Sequence, residues 1–574
     1  MSVTVDIGSK RLISVIVTLL LLVSATIAEA DSRPSSANQL LLSDYQDGKI
    51  DREEYYFRLL QTIYEPEMLP AEYTSSKAEP VKCATPIIME IRQQWDDLSA
   101  EFKSTAARFD IRPDTELEYV SPDGFFRLHY DTAFGGATPP VPLDDLDSSL
   151  VPDFVELMAS YADSAWRQIV LNFGYERPPS DGTLGGDSLY DLYFDQFQYY
   201  GLTSGDFFVS SACDNSYSSH ITLHHTFLSF PPNQDPDGNQ KGSMKVAIAH
   251  ELYHAVQFYY DAYLDTWWAE QTAVWMEDEV YPIVHDNYNY FDEFWPFPEM
   301  SLLEEGEWLH PYGSFVWPKY LAENYGLDLI QDILFSSCQQ TSLISIFHSE
   351  LAERSTTFYD EFREFLFWNY MTGERDDGLH YVDASNYPEI EIMRQHSAIP
   401  APEQLSNATP YNLGANYIEI TNDSAYVGIL TFSIDTAYTA PWDISYITVD
   451  SAGVYDYVVG DLGVNGTGNQ YIERFEDYQR VVFIPYVKGT AYGGPYGYVY
   501  SVYFRPIGDA NNSGFIDIDD ITWVIAYIFS GGPPSDPLRA MDADCSGSTD
   551  IDDVVYLISY VFAGGPAPCG EGQQ

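Results

Sequence analysis

Apolar side chains run without proline or glycine from Met244-Lys245-Val246-Ala247-Ile248-Ala249 through to Ala255-Val256-Gln257-Phe258-Tyr259-Tyr260, which predicts one long helix. Just upstream, Ser219-His220-Ile221-Thr222-Leu223-His224-His225 alternates with a period of two and predicts a strand. Residues 31 to 115 read as helical and polar, with apolar patches at Leu40-Leu41-Leu42 and Tyr55-Tyr56-Phe57. From Glu116 to Pro400 strands and helices mix. Beyond Pro410 the pattern shortens to alternating strands such as Tyr417-Ile418-Glu419-Ile420 and Val481-Val482-Phe483-Ile484, separated by turns rich in Gly, Asn and Asp. A β-sandwich over 401–506 fits that rhythm. Two apolar helices close the chain, each ending in Phe-x-Gly-Gly-Pro, at Phe529 to Pro533 and Phe562 to Pro566. The expected fold class is multidomain α+β.

Chemistry enters inside the long helix, at His250-Glu251-Leu252-Tyr253-His254. Histidines four apart project from one helix face and can share a metal ion, with the intervening glutamate beside a metal-bound water. A catalytic zinc takes three protein ligands and leaves a fourth position to water, so a third ligand is required. Gln257 and Tyr260 stand where a metzincin carries its glycine and third histidine, which excludes that class. Glu270, in Trp267-Trp268-Ala269-Glu270-Gln271-Thr272-Ala273, opens a second helical segment and is the expected third ligand; Ala273 allows close helix approach. Glu277 lies on roughly the same face and is the reserve candidate, read first as an outer carboxylate or a solvated one. His220 and His224 share a strand face, but the sequence identifies no acidic partner that would make them a second metal site.

At these residues the chain resembles the gluzincin metallopeptidases, whose pattern is HExxH followed by a W-x-x-E-G-x-A helix. Closer still, it resembles a group of secreted bacterial metallopeptidases with HExxHAVQF, then WxxExTAxWMEE and VYP; here these are His250 to Phe258, Trp267 to Asp278 and Val280-Tyr281-Pro282. The weaker resemblance runs from Leu40 to Pro400. It implies a zinc peptidase domain over 116–400, with zinc on His250, His254 and Glu270, Glu251 as general base, and a peptide or protein substrate. Zinc so held brings its water towards a pKa of ~7, and Glu251 takes the proton and passes it to the leaving amine. In gluzincins a downstream tyrosine or histidine often stabilises the oxyanion, and Tyr312 in His310-Pro311-Tyr312-Gly313 is the candidate. A sheet edge beside the zinc helix can also pair with extended substrate. Gln271 replaces the family's usual glycine.

The C-terminal helices each follow a loop, and the two loops repeat 33 residues apart. The first offers Asp509, Asn511, Ser513, the Phe515 carbonyl and Asp520; the second offers Asp542, Asp544, Ser546, the Ser548 carbonyl and Asp553. Oxygens at positions 1, 3, 5, 7 and 12 around a glycine at 6 are what Ca²⁺ demands. The pair resembles a type I dockerin over Ile507 to Cys569, which implies two calcium ions in a small all-α module. Aspartate at position 12, shorter than the usual glutamate, and serine at position 5 weaken calcium binding, which extracellular calcium tolerates. The matching dyads Ile518-Asp519 and Ile551-Asp552 occupy positions that dockerins turn towards cohesins, so the implied partner is a cohesin-bearing scaffold or cell-surface protein. A calcium-stabilised module without any partner is the alternative.

At the N-terminus Lys10-Arg11, the apolar run Leu12 to Ile27 and Ala28-Glu29-Ala30 predict a signal peptide over 1–30, and hence export. No stretch predicts a membrane span in the mature chain. A removable propeptide and a permanent support both fit 31–115, and 507–574 is the expected dockerin domain. With 27 basic against 87 acidic residues the net charge is −60, which excludes nucleic acid and anionic membrane as partners. Five cysteines leave one unpaired; Cys545 and Cys569 bracket the last helix and are placed to staple it, while Cys83, Cys213 and Cys338 are not paired by the sequence. Two functions are expected from different classes: a secreted zinc peptidase tethered through its dockerin, or an inactive zinc-fold binding or structural protein. The complete His250, Glu251, His254 and Glu270 set favours the peptidase, since a binding protein has no need of a general base.

Overall fold

The computed structural model describes residues 36–73, 82–109, 112–134, 138–210, 213–304, 309–339, 342–405, 409–423, 428–436, 440–463 and 466–569. The expected signal peptide, 1–30, lies outside them. The chain forms two compact units, 1–79 with 98–110, and 80–97 with 111–574. The first holds α1 (Ala37–Gln46), α2 (Arg52–Tyr64) and α4 (Ala100–Ala106); α3 (Thr85–Gln93), which lies between them in sequence, belongs to the second. Ser36, Asp51 and Ser99 cap α1, α2 and α4 by accepting backbone N–H groups three residues on, which satisfies donors a helix start leaves orphaned. The expected helical region 31–115 is therefore divided between the two units.

The second unit begins with a five-stranded sheet in the order β1-β2-β3-β5-β4. Its strands are β1 (Leu117–Val120), β2 (Phe126–Tyr130), β3 (Tyr190–Asp195), β4 (Gly201–Phe208) and β5 (Tyr217–His224). The central three run parallel, the connection between β2 and β3 passing through α5 (Asp153–Trp166). The alternating strand β5 is internal, and the edge is β4, paired antiparallel to it. The polar members Ser218, Ser219 and Thr222 are small enough to be buried, so the period of two marks no solvent face.

The predicted long helix is α6 (Asn239–Tyr260), followed by α7 (Thr266–Val280). Every residue of α6 from Gly242 to Phe258 is buried, and a helix enclosed on all sides can carry polar groups only if other elements satisfy them. Helices α8 (His310–Gly313), α9 (Val316–Tyr325), α10 (Leu327–Ser336), α11 (Leu343–Glu353) and α12 (Phe358–Tyr370) enlarge this core. A disulfide joins Cys213 to Cys338, and a second joins Cys545 to Cys569, which leaves Cys83 as the free thiol.

Strands β6 (Arg394–His396), β7 (Ala401–Leu405), β8 (Ile418–Thr421), β9 (Gly428–Asp435), β10 (Trp442–Asp450), β11 (Tyr455–Val459), β12 (Gly468–Ile472), β13 (Tyr478–Val487) and β14 (Val499–Pro506) form two sheets, β11-β10-β13-β8-β6 and β12-β9-β14-β7. Ile420, Phe432, Ile434, Ile444, Phe483 and Val502 fill the space between them. β13 is buried on both faces, because Val482, Ile484 and Tyr486 also join the core around Phe362 and Phe365 of α12. That double burial explains its unbroken apolar run. The C-terminal helices α13 (Ile518–Ser530) and α14 (Ile551–Ala563) are capped alike, by Asp517 and Asp550 at their starts and by left-handed Gly531 and Gly564 at their ends. Among the described residues no helix is long and apolar enough to cross a membrane.

Phe432 and Phe483 stack between the two sheets with ring centroids 4.2 Å apart, both fully buried. Phe432→Ala is expected to cost about 3–5 kcal/mol, read as a lower denaturant midpoint for the sandwich.

Candidate metal centre

His250, Glu251 and His254 leave the enclosed helix α6 towards α7 and β4, and Glu270 and Glu277 meet them from α7. All five are at most 2 % exposed. The Nε2 atoms of His250 and His254 stand 3.1 Å apart. Glu270 brings one carboxylate oxygen to 3.3 Å from His250 Nε2 and the other to 3.2 Å from His254 Nε2. Neither oxygen has a hydrogen bond, although both are buried.

The opposite ring nitrogens decide what this means. His250 Nδ1 lies 2.8 Å from a Glu277 oxygen, and His254 Nδ1 lies 2.8 Å from the Gln257 carbonyl oxygen. Gln257 spends its amide N–H groups on the Ala269 carbonyl and the Thr272 hydroxyl, so its oxygen is an acceptor. Both Nδ1 atoms therefore donate, which directs the Nε2 lone pairs at each other and at the Glu270 carboxylate. Three acceptors converging on one buried point fit a divalent cation, and the N₂O donor set is one that zinc accepts. The charge balance agrees. Burial opposes charge on His250, yet the nearby Glu270 and Glu277 carboxylates hold its pKa up to about 10; burial likewise opposes ionisation of Glu270, yet His254 and His250 bring it down to about 2, so a proton and a metal cation compete for the same place. The pocket calls for positive charge.

Glu277 makes no approach to the shared point. It bridges His250 to Lys82, whose ammonium lies 2.8 Å away and also pairs with Asp286. Glu251 turns one oxygen to the hydroxyls of Thr203 (2.8 Å) and Thr85 (3.2 Å), and the other is unpaired. A side chain at Gly201 would meet Glu251 Cγ at 2.7 Å, so glycine there gives the carboxylate its room. Gln271 is buried and donates to the Leu302 carbonyl and the Ser314 hydroxyl, bonds that glycine could not supply. Tyr312 is buried with its ring 6.3 Å from that of His250; burial, then the Glu270 charge, raises its pKa well above the usual range.

Spacing and resemblance pointed to His250, Glu251, His254, Glu270 and Tyr312, and these lie together. They did not point to Lys82, Cys83, Thr85, Thr203 or Asp286. Cys83 offers its sulfur to the same cluster: it, His250, His254 and Glu270 each present an atom, all within 4.8 Å of one another. The odd number of cysteines was its one trace in the sequence. His220 has an acidic partner after all, Asp206 at 2.9 Å, which the antiparallel turn from β4 brings beside it and which Arg112 also binds. His224 instead accepts backbone N–H groups from Thr226 and Phe227, and His225 pairs with the Pro140 carbonyl.

In the C-terminal module Asp542, Asp544 and Asp553 bring carboxylate oxygens within 4.8 Å of one another. Asp542 also accepts the N–H groups of Ser546 and Gly547, and Asp509 those of Ser513 and Gly514. Asp520 and Asp553 accept the N–H groups of Asn511 and Asp544 across their loops. Burial, reinforced by the neighbouring Asp544 and Asp542, pushes Asp553 up to about 6. The Ser513 hydroxyl donates to the Phe515 carbonyl, and that of Ser546 lies 3.3 Å from the Ser548 carbonyl.

His310, two residues before Tyr312, is buried with Nδ1 donating to the Glu293 carbonyl and Nε2 unpaired, and burial lowers its pKa to about 4. An unfolded histidine titrates near ~6.5, so the folded chain binds fewer protons than the unfolded chain between these values. The stability this contributes is complete above the unfolded value and is lost as pH falls towards the folded one. His310→Gln is expected to flatten that loss, seen by comparing denaturant midpoints at about pH 7 and about pH 5.

No family model matches the chain, and no curated protein matches it. Among solved structures, the pre-peptidase C-terminal domain of a collagenase from Bacillus anthracis is similar to part of the chain, covering 20% of it and 98% of that domain at 14% identity, with a TM-score of 0.14.

Proposed function

We propose that this chain is an exported zinc-dependent peptidase of the gluzincin type, tethered to a cohesin-bearing partner through a calcium-binding dockerin module. One observation carries the reading: the Nε2 atoms of two imidazoles and an unbonded carboxylate converge at a buried point against the helix that also carries Glu251. His250, His254 and Glu270 would hold the ion, which when bound supplies Lewis acidity and a water of lowered pKa. Glu251 would take a proton from that water and return it to the leaving amine through the oxygen not engaged by Thr203 and Thr85. Glu277 and Gln257 accept from the two Nδ1 atoms and so turn both Nε2 atoms to the shared point. Tyr312 has a protonated phenol to offer an oxyanion. The crowded carboxylates of the second loop support calcium on Asp542, Asp544, Ser546, Ser548 and Asp553, and the matching first loop supports it on Asp509, Asn511, Ser513, Phe515 and Asp520.

Glu251→Gln is expected to keep zinc after dialysis while peptide hydrolysis falls by roughly 10²–10⁴. Hydrolysis at the parent rate by that variant would remove Glu251 as the base. Glu270→Ala should lose zinc outright, whereas Glu277→Ala, which frees the back of one ring and removes one partner of Lys82, should weaken it by about 10–100-fold. Metal content measured across dialysis at graded chelator separates the two.

Calcium is expected to act on the C-terminal module alone, whose core is no larger than Ala510, Ile521, Val524, Met541, Ala543, Val554 and Leu557 with their half-buried neighbours. In the full chain a calcium-selective chelator should make residues 507–569 sensitive to limited proteolysis, and Asp509→Ala with Asp542→Ala should do the same in excess calcium. Unchanged resistance in both experiments would count against calcium in the loops; zinc content should not alter in either.

A further inference from the structure

The outer edge of β4 beside the metal centre is already taken by the chain itself. Lys82, Cys83 and Ala84 lie along it as a short parallel strand: the Tyr200 N–H donates to the Lys82 carbonyl (3.1 Å), the Ala84 N–H donates to the Gly201 carbonyl (3.2 Å), and Cys83 pairs with Gly201. The next residue, Thr85, accepts the Thr203 N–H at 2.7 Å and sets its hydroxyl on Glu251. An extended peptide that adds a strand to a sheet uses these same edge groups.

Three observations place Cys83 within the metal cluster rather than merely near it. Its sulfur is one of four atoms, with those of His250, His254 and Glu270, that lie within 4.8 Å of one another. Both Glu270 oxygens facing that point are buried and unbonded. Cys83 is also the free cysteine in a chain whose other four form disulfides, and it accepts the Thr85 N–H on sulfur at 3.3 Å. A zinc ion with two imidazoles and one carboxylate has one tetrahedral position left, and thiolate fills such a position in closed sites. The segment is pinned on its other side by the buried Lys82 ammonium between Glu277 and Asp286, so one residue engages the histidine-orienting carboxylate and the next faces the ion.

We propose that this chain is the latent form of the peptidase, with Cys83 as a fourth metal ligand and Lys82–Thr85 lying in the substrate groove. The inference rests on the zinc-site reading above. On metal binding the thiol loses its proton to water and a sulfur–metal bond forms; activation requires that bond to break and the segment to leave β4, water taking the vacated position. The segment is bracketed in sequence by parts of the first compact unit, which ends at 79 and resumes at 98. That unit thereby gains the role of carrying an inhibitory insert.

Cobalt(II) substituted into the full chain tests this directly. The parent should show an intense near-ultraviolet thiolate-to-cobalt charge-transfer band, and Cys83→Ser and Cys83→Ala should lose it while still binding one cobalt per chain. Cobalt bound without the band in the parent, or a band that survives both substitutions, overturns the proposal and leaves the three-ligand site standing. Failure of the parent and both variants to bind cobalt overturns the site reading and this proposal together. With zinc loaded, losing the sulfur–metal bond in Cys83→Ser is expected to loosen the segment on β4 as well as open the fourth position, and so to raise peptide hydrolysis at least about tenfold over the parent. Equal rates for parent and variant also overturn latency, and circular dichroism of each variant confirms that the comparison is between folded chains.

Discussion

A helix buried on every side is the constraint from which the rest of this structure follows. α6 carries His250, Glu251, His254 and Gln257 into a core where no water meets their polar atoms, so each needs a partner from another element. α7 supplies Glu270, Glu277 and Thr272; β4 supplies Thr203 and the space at Gly201; the segment before α3 supplies Lys82 and Thr85. Around the two imidazoles this accounting leaves both Glu270 oxygens and one Glu251 oxygen without a bond, the acidic groups of the cluster that the fold does not pair.

The same accounting explains the depth of the ion-pair network. Glu277 holds His250 with one oxygen and Lys82 with the other, and Lys82 in turn tolerates burial because Asp286 shares its charge. For Lys82 burial acts against the charge, but Asp286 and then Glu277 outweigh it and raise the pKa. Removing one member leaves an uncompensated charge, at a cost of about 3–5 kcal/mol for a buried pair. Metal affinity, ring orientation and the seating of the 82–85 segment are therefore coupled through three side chains.

The parts legible in the sequence are those whose information is local. Histidines four apart, a 33-residue repeat and the two-residue alternation of the later strands each state their meaning within a few residues, and helix α6, the loop aspartates and the strands from β8 to β13 follow from them. The parts that were not legible depend on contacts between distant segments. Thr85 reaches Glu251 across 166 positions and Lys82 reaches Asp286 across 204, and nothing in the neighbouring sequence announces either. β5 is a strand as its alternation predicts, but its serines and threonines are small enough to bury, and the edge that the resemblance implied is β4, which no local pattern marks. The pairing of Cys213 with Cys338 likewise spans 125 residues, and only that pairing singles out Cys83.

At the junction between sandwich and C-terminal module Arg505 acts alongside an apolar cluster of Ile429, Ile507 and Ala540, a Tyr471 hydroxyl bond to Asp536 and an Arg539–Glu476 ion pair. Arg505, near the end of β14, donates to the carbonyls of Asp509 and Asp536 and to the Ser535 hydroxyl, which itself donates to the Ala510 carbonyl. Asp509 is the first residue of the first loop, so the guanidinium grips the module at its entrance and at the connection between its helices. β14 is bonded on both sides by β9 and β7, so a displacement of the module at Arg505 is passed to the middle of a sheet and not to a free strand or a loose linker.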